Sequence, residues 1–312
     1  MGILTYRRRE GLPTTVRSVA AVVDRSASPP VWQLRELLIV DNDPDGSAQG
    51  AAVDLAAEID VPVRYIHEAT PGLAAARNRA LDEADGDVLV FIDDDEEAEP
   101  GWPDGLLGIM DTSGAALVGG PVRTRFAQPP PSWVVEGRFF ERPEPADGST
   151  QAWLRSGNLA VDLAAVRAAD LRFSPAFAHT GGEDVDFTRR AAAAGLDLRW
   201  SATAAVTETV PPDRARLRWV TARERRSTAS WVRVELALDP RRRRRALVTV
   251  RAMVRAAQAM AVATGGILGR RRHRIASAAV LASRALGAID GLRDRRLDGY
   301  GPAASQDGDQ QG

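Results

Sequence analysis

The sequence predicts an α/β fold: a mostly parallel sheet flanked by helices over residues 1–212, followed by a helical region of different character. Three observations carry this expectation. Short apolar runs alternate with helix-period segments through the first half of the chain, the pattern of a parallel sheet with helices on both faces. Two of those runs end in carboxylates, at "IVDND" and "FIDDDEE". After Pro212 the apolar strands stop and arginine-rich helical patterns take over.

Taken in order, "ILTY" opens as a strand and "LPTTVRSVAAVV" follows as a helix. "ELLIV" is a buried strand ending at Asp41, and "AAVDLAAEI" is helical. "VRYIHE" is a strand, "GLAAARNRALDEA" an amphipathic helix, and "DVLVFIDDDEEAE" a buried strand that runs into acid. Ligands bind at the carboxyl ends of strands in such sheets, and Thr5–Tyr6, Asp41 and Asp93–Asp95 all stand there. Residues 123–150, rich in proline and aromatics, are expected to form no regular element, and a long irregular segment in a compact domain is usually functional. Structure resumes at "AWLRSGNLAVDLAAVRAA", "AHTGGEDVDFTRRAAAAGLDLRW" and "ATAAVTETV". His179 reads as a loop histidine. Residues 213–298 form the arginine-rich region, and the polar, glycine-rich stretch 299–312 reads as a disordered tail.

Composition removes several chemistries. The 312 residues include no cysteine and no lysine, which excludes disulfides, zinc–thiolate sites, Schiff bases and lysine-bearing phosphate loops. A net charge of −1 gives no case for nucleic-acid binding. "MGILTYRRREG" lacks the long apolar run of a signal peptide, so the chain is expected on the cytoplasmic side. "DNDPDG" resembles half of a calcium loop, but its twelfth position is Ala52, where such a loop needs a bidentate glutamate.

Three consecutive aspartates at a strand end repel one another unless a cation sits among them. Oxygen ligands without sulfur or imidazole suit Mg²⁺ or Mn²⁺ shared with phosphates; the alternative is a solvated turn whose acids face a helix dipole. Strand alternation points Asp94 away from its neighbours, so it is not assigned as a ligand. In "GGEDVDFTRR" the glycines allow close backbone approach. Glu183 and Asp184 then occupy the first helical turn, as a site or as an ordinary cap.

In this order and spacing the segments resemble the inverting glycosyltransferases of family 2, which have a GT-A fold. The likeness spans residues 3–210: "ILTYRR", "IVDNDPDGS", "GLAAARNRAL", "FIDDDE", "SGNLAV" and "GGEDVDFTRRAAAAG". It implies a sugar moved from a UDP-, dTDP- or GDP-linked donor to a hydroxyl of a glycan, glycolipid (a lipid-linked acceptor) or secondary metabolite. It further implies Thr5, Tyr6, Asp41, Arg77 and Asp93 around the nucleotide, with Arg77 holding Asp41 or the base. Asp93 and Asp95 would hold the divalent metal, Asp184 would be the base, and Glu183, Gly157 and Asn158 would face the acceptor. Many relatives have a histidine after the "A-x-V" strand; here "AVTETV" offers Glu208, either a metal ligand or an exposed residue. Two rival readings are a nucleotide-sugar-binding protein without turnover and a sugar nucleotidyltransferase. The latter would want more glycine than "TYRRREG" supplies.

In "RLRWVTARERRSTASWVRVEL", Arg223 or Arg226 either meets the donor phosphates or forms a solvated face. "ALVTVRAMVRAAQAMAVATGGIL" is long enough to span a bilayer but is interrupted by Arg251 and Arg255. With "RRRRR" and "GRRRHR" flanking it, the expectation is a helix on an anionic membrane surface rather than a span, or else a packed hairpin or dimer interface.

Overall fold

A computed structural model of the chain describes residues 1–8, 11–24, 32–178, 180–295 and 297. His179 and the tail 299–312 lie outside the described residues. The chain divides into two compact units: residues 1–124, 142–178 and 183–209, and residues 125–141, 179–182 and 210–312.

The first unit is built on strands β1 (Gly2–Thr5), β2 (Leu37–Asp41), β3 (Val63–His67), β4 (Val88–Asp93), β6 (Leu117–Gly119), β8 (Asn158–Asp162) and β9 (Leu198–Trp200). They form a seven-stranded sheet in the order β3-β2-β1-β4-β8-β6-β9. Only β8 runs against its neighbours. A three-stranded sheet joins β5 (Glu96–Ala98), β10 (Val206–Val210) and β7 (Val122–Phe126). Its helices are α1 (Leu12–Val23), α2 (Gln49–Glu58), α3 (Leu73–Glu83), α4 (Trp102–Ser113), α6 (Leu163–Ala168) and α7 (Glu183–Ala193); α5 (Ser132–Glu136), between β7 and β8 in the chain, belongs to the second unit.

Side chains two apart on a strand share a face, and the core follows that rule. Leu38, Val40 and Phe91 join one apolar cluster, while Leu37, Ile39, Val90 and Ile92 join the other. Phe173 stacks on Phe187 at 4.1 Å and meets Phe91 edge-on at 6.1 Å; burying one such ring stabilises by about 1.5–3 kcal/mol. The register aligns Thr5 with Asp41, Asp41 with His67, and Ile92 with Asn158, so all of these stand at one end of the sheet.

Two expectations are corrected. The acidic run does not continue as one strand: β4 stops at Asp93, the chain turns, and β5 pairs antiparallel with β10, Glu96 opposite Glu208. Residues 123–150 are not wholly irregular, since β7 and α5 lie within or overlap them. Three of the prolines lie ahead of α5 and run up to its N-cap, Pro131, where a missing N–H is harmless, while Pro143 and Pro145 follow it.

The second unit contains α8 (Leu217–Leu238), α9 (Arg242–Leu268) and α10 (Arg272–Leu292). Val134, Phe140, Val210, Val220 and Val280 form its buried cluster, with Phe126, Trp133 and Trp219 against it. Those aromatics explain why residues 125–141 belong with these helices. Helices α8 and α10 approach very closely. A Cβ on Gly287 would lie 2.3 Å from the Arg225 carbonyl oxygen, and one on Gly291 2.8 Å from that of Ala229. Ion pairs Arg225–Asp290 (2.6 Å) and Arg284–Glu224 (2.7 Å) fix the same interface.

Gly291→Ala is therefore expected to destabilise the protein by about 1–3 kcal/mol in urea unfolding. Gly108→Ala, at an exposed position of α4 with nothing within 4 Å, should be neutral or stabilising by up to about 1 kcal/mol.

Candidate active site

Arg77 is where the site is assembled. Its guanidinium is buried, pairs with Glu183 through Nη1, and stands 3.8 Å from Asp93 through Nη2. Local sequence puts it there. Gly72 has φ +125°, and a Cβ on it would lie 2.7 Å from that of Ala178; glycine alone suits both demands. Asn42 donates to the carbonyls of Glu68 (3.0 Å) and Thr70 (2.7 Å) and accepts from the Gly72 N–H (2.7 Å), tying the start of α3 to the end of β2. Asn78 clamps Phe173 by both its N–H and its carbonyl, at 2.8 and 2.9 Å. In "ARN", then, Arg77 reaches the site and Asn78 fixes the helix that carries it.

Glu183 and Asp184 occupy the first turn of α7. Glu183 is 3% exposed, and its Oε2 has no hydrogen-bond partner among the described residues. Burial is the main influence on its carboxyl and pushes it up to about 7, with Arg77 opposing and Asp184 adding to the rise. Asp184 is half-buried, and its Oδ1 accepts from the Val185 N–H at 2.8 Å.

Across Arg77 lies the acidic turn. Burial pushes Asp93 up to about 6, opposed by Arg77 and reinforced by Asp95 and Asp94. Glu96 is raised well above the usual range by burial and by Asp93 and Asp95; it accepts the Asp93 N–H at 3.2 Å. Asp94 turns inward, taking the Thr5 hydroxyl at 2.8 Å and Arg8 at 3.2 Å, while Arg8 also reaches Asp95 at 2.6 Å. A Cβ on Gly157 would lie 2.8 Å from Asp93 Oδ2 and 3.0 Å from Glu96 Oε1, so a side chain at 157 would fill the space beside these carboxylates. Among the described residues no group of three His, Cys, Asp or Glu is arranged to hold a metal ion. Two hard carboxylates with surplus negative charge nevertheless fit a divalent ion that takes its remaining ligands from phosphate and water.

Other expected positions look different in place. Asp41 is wholly buried and accepts from the Asp43 and Ala48 N–H groups (3.0 and 2.7 Å) and the Tyr65 hydroxyl (3.1 Å). Arg77 holds Glu183 and Asp93 rather than Asp41, because α3 delivers it toward α7 and β4. Asn158 is 1% exposed: it accepts from Trp102 Nε1 (2.8 Å) and donates to Pro121 and Ala204 (3.1 and 2.7 Å). Its amide joins three segments instead of facing an acceptor. Glu208 pairs with Arg142 at 2.8 Å and would have to release it to bind a metal. Tyr6 is half-buried, with the Arg7 guanidinium 5.3 Å from its ring centroid. In the second unit Arg223 donates to the Phe139 carbonyl at 2.8 Å and lies 4.8 Å from the Phe140 ring centroid; Arg226 is half-buried on the same helix. Sequence reasoning missed Arg8, Glu96 and Asn42. "RRREG" and "DDDEE" contained the signal, but only the turn after Asp93 shows which of those residues face inward.

Arg77→Met leaves buried carboxylates without their cation and should cost about 3–5 kcal/mol. Arg79→Met, in a half-exposed pair with Glu83, should cost under about 1 kcal/mol. The raised carboxyls give a sign for pH as well: the folded state binds more protons than the unfolded, so metal-free protein should lose stability as pH rises through about 6 to 7. Thermal melts between pH 5 and 8 would show that fall, and Arg77→Met should move it to higher pH.

Known proteins share this family pattern and fold. The family described as "Glycosyl transferase family 2" matches residues 2–162. The chain is 34% identical over 309 residues, 96% of its length and 95% of the relative's, to the succinoglycan biosynthesis protein ExoM of Rhizobium meliloti (strain 1021). Its fold resembles that of the mannosyltransferase PcManGT from Pyrobaculum calidifontis, solved with GDP-Man and Mn²⁺, with a TM-score of 0.63 at 17% identity over 95% of this chain and 87% of that one. It also resembles S. aureus TarS, with a TM-score of 0.53 at 12% identity over 93% of this chain and 54% of that one. The chain belongs to glycosyltransferase family 2 and is a glycosyltransferase with the GT-A fold.

Proposed function

We propose that the chain is a metal-dependent, inverting glycosyltransferase moving a sugar from a UDP-, dTDP- or GDP-sugar to a hydroxyl of a glycan, glycolipid or secondary metabolite. The observation that carries the reading is the buried Arg77, which pairs with Glu183 and stands 3.8 Å from Asp93, so that the turn after β4 and the first turn of α7, distant in sequence, flank one cation. Asp93 and Asp95 would hold Mg²⁺ or Mn²⁺, which neutralises charge on the departing diphosphate. PcManGT was solved with GDP-Man and Mn²⁺, which supports both a nucleotide-sugar donor and a divalent ion. The likeness to a succinoglycan biosynthesis protein favours a growing polysaccharide as acceptor.

The chain's own residues divide the remaining work. Asp184 takes the proton from the acceptor hydroxyl as its oxygen bonds to the sugar's anomeric carbon and the bond to the diphosphate breaks on the opposite face. One Asp184 oxygen is steadied by the Val185 N–H, leaving the other for that proton. Glu183 Oε2, buried and unpartnered, is placed to accept from a second acceptor hydroxyl. Thr5, Tyr6 and Asp41 stand at the strand ends on the nucleotide side, and Gly157 keeps the space beside Asp93 open. The enzyme works on the cytoplasmic side, at the inner face of the membrane.

Asp184→Asn should lower kcat at least about a thousandfold while calorimetry still detects donor binding; full turnover would overturn the role of base. A nucleotide-sugar screen by thermal shift should find a donor that stabilises the protein only with Mn²⁺ or Mg²⁺. Asp95→Ala should abolish that metal-dependent increment.

A further inference from the structure

Helix α9 is apolar on two opposite faces. Val248, Ala252, Ala259 and Gly266 are buried. On the other side Val250, Met253, Met260 and Leu268 are 50, 59, 67 and 81% exposed. These positions recur at helical spacing and form one outward stripe. Between residues 246 and 268 the only charges are Arg251 and Arg255. Both lie to the side of the stripe, Arg251 within 3.8 Å of Glu235 on α8. Arginines bracket the stripe, at residues 241–245 before it and at 270–272 and 274 after it. From residue 241 to 289 there are twelve arginines and no Asp or Glu, in a chain whose net charge is −1.

We infer that this stripe is a membrane-docking surface, with α9 lying in the plane of an anionic lipid bilayer. Its apolar side chains enter the acyl boundary and the arginines at both ends meet lipid phosphates. At 27 residues the helix offers a contact about 40 Å long. Spanning is opposed by the fold of this unit. Helix α10 is fixed to α8 by Arg225–Asp290 and Arg284–Glu224, and α9 is linked to α8 through Arg244–Glu235 and Arg251–Glu235. Carrying the hairpin across a bilayer would break these pairs or draw them into hydrocarbon. A second copy is a poorer occupant: paired in either direction, twin stripes set arginine clusters against arginine clusters, and the segment has no acid to receive them. The inference sharpens the peripheral location proposed above but does not depend on the transfer chemistry.

The test is co-sedimentation of the full chain with phosphatidylcholine vesicles, with and without phosphatidylglycerol, and no donor present. Binding should be at least about tenfold stronger to the anionic vesicles and should weaken, without vanishing, at high salt. The triple variant Val250→Glu/Met253→Glu/Met260→Glu should lose about tenfold or more while its donor-induced thermal shift stays unchanged. Hydrogen exchange on the unaltered protein gives a readout that needs no variant: vesicles should protect amides 246–268 and leave residues 1–124 as they were. Equal binding to both vesicle types, protection elsewhere than α9, a lipid-free dimer abolished by the triple variant, or resistance to alkaline extraction would each overturn the inference. Failure of sugar transfer would not.

Discussion

The site rests on one buried cation. Arg77 is 4% exposed, and burial makes Asp93, Glu96 and Glu183 harder to ionise than usual. Remove the charge and β4 and α7 would each present acid to the other at short range. With it, the end of a strand and the start of a helix some ninety residues apart are drawn to one place. The arrangement is stable only because α3 is itself pinned, by Asn42 at its entrance and by Asn78 on Phe173. Folding of the core and assembly of the site are therefore one event.

Around that centre the structure separates groups that are satisfied from groups that are not. Asp41, Asp94 and Asn158 have buried side chains whose partners are all within the protein; they shape the end of the sheet. Glu183 Oε2 has no such partner, and Asp93 keeps 43% of its side chain exposed. Buried polar atoms without partners are rare in folded proteins and call for an explanation. Here the buried Glu183 Oε2 lies on one side of Arg77 and the half-exposed Asp93 carboxylate on the other.

That distinction also marks what the sequence could tell. The uninterrupted apolar runs "LLIV" and "VLVFI" and the acid at their ends were enough to place β2, β4 and the ligand end of the sheet, because a short apolar run bounded by polar residues is a local signal of a buried strand. The order of the motifs was enough for the family. Where Asp93–Asp95 turn was not legible: a run of acids continues a strand as readily as it leaves one, and only pairing of β5 with β10 decides it. Asn158 misled for a similar reason. An amide next to a glycine looks like a ligand-facing turn until Trp102, Pro121 and Ala204 are found around it, and those contacts join positions far apart in the chain.

The absence of lysine deserves a physical reading too. A compositional bias can swap arginine for lysine on a surface at little consequence, but at residue 77 the two are not equivalent. Burial works against any charged group, and an ammonium in that position could lose its proton; a guanidinium does not. It also presents several donors in one plane, so that Glu183 and Asp93 can be approached through different nitrogens of the same side chain. A lysine there would offer a single point charge to two carboxylates on different elements. The same permanence of charge suits the arginines that bracket α9, where contact with lipid phosphate would lower the local dielectric. One residue type thus serves two opposite settings, a buried counter-ion and an exposed electrostatic fringe, for the same reason: it keeps its charge when water is withdrawn.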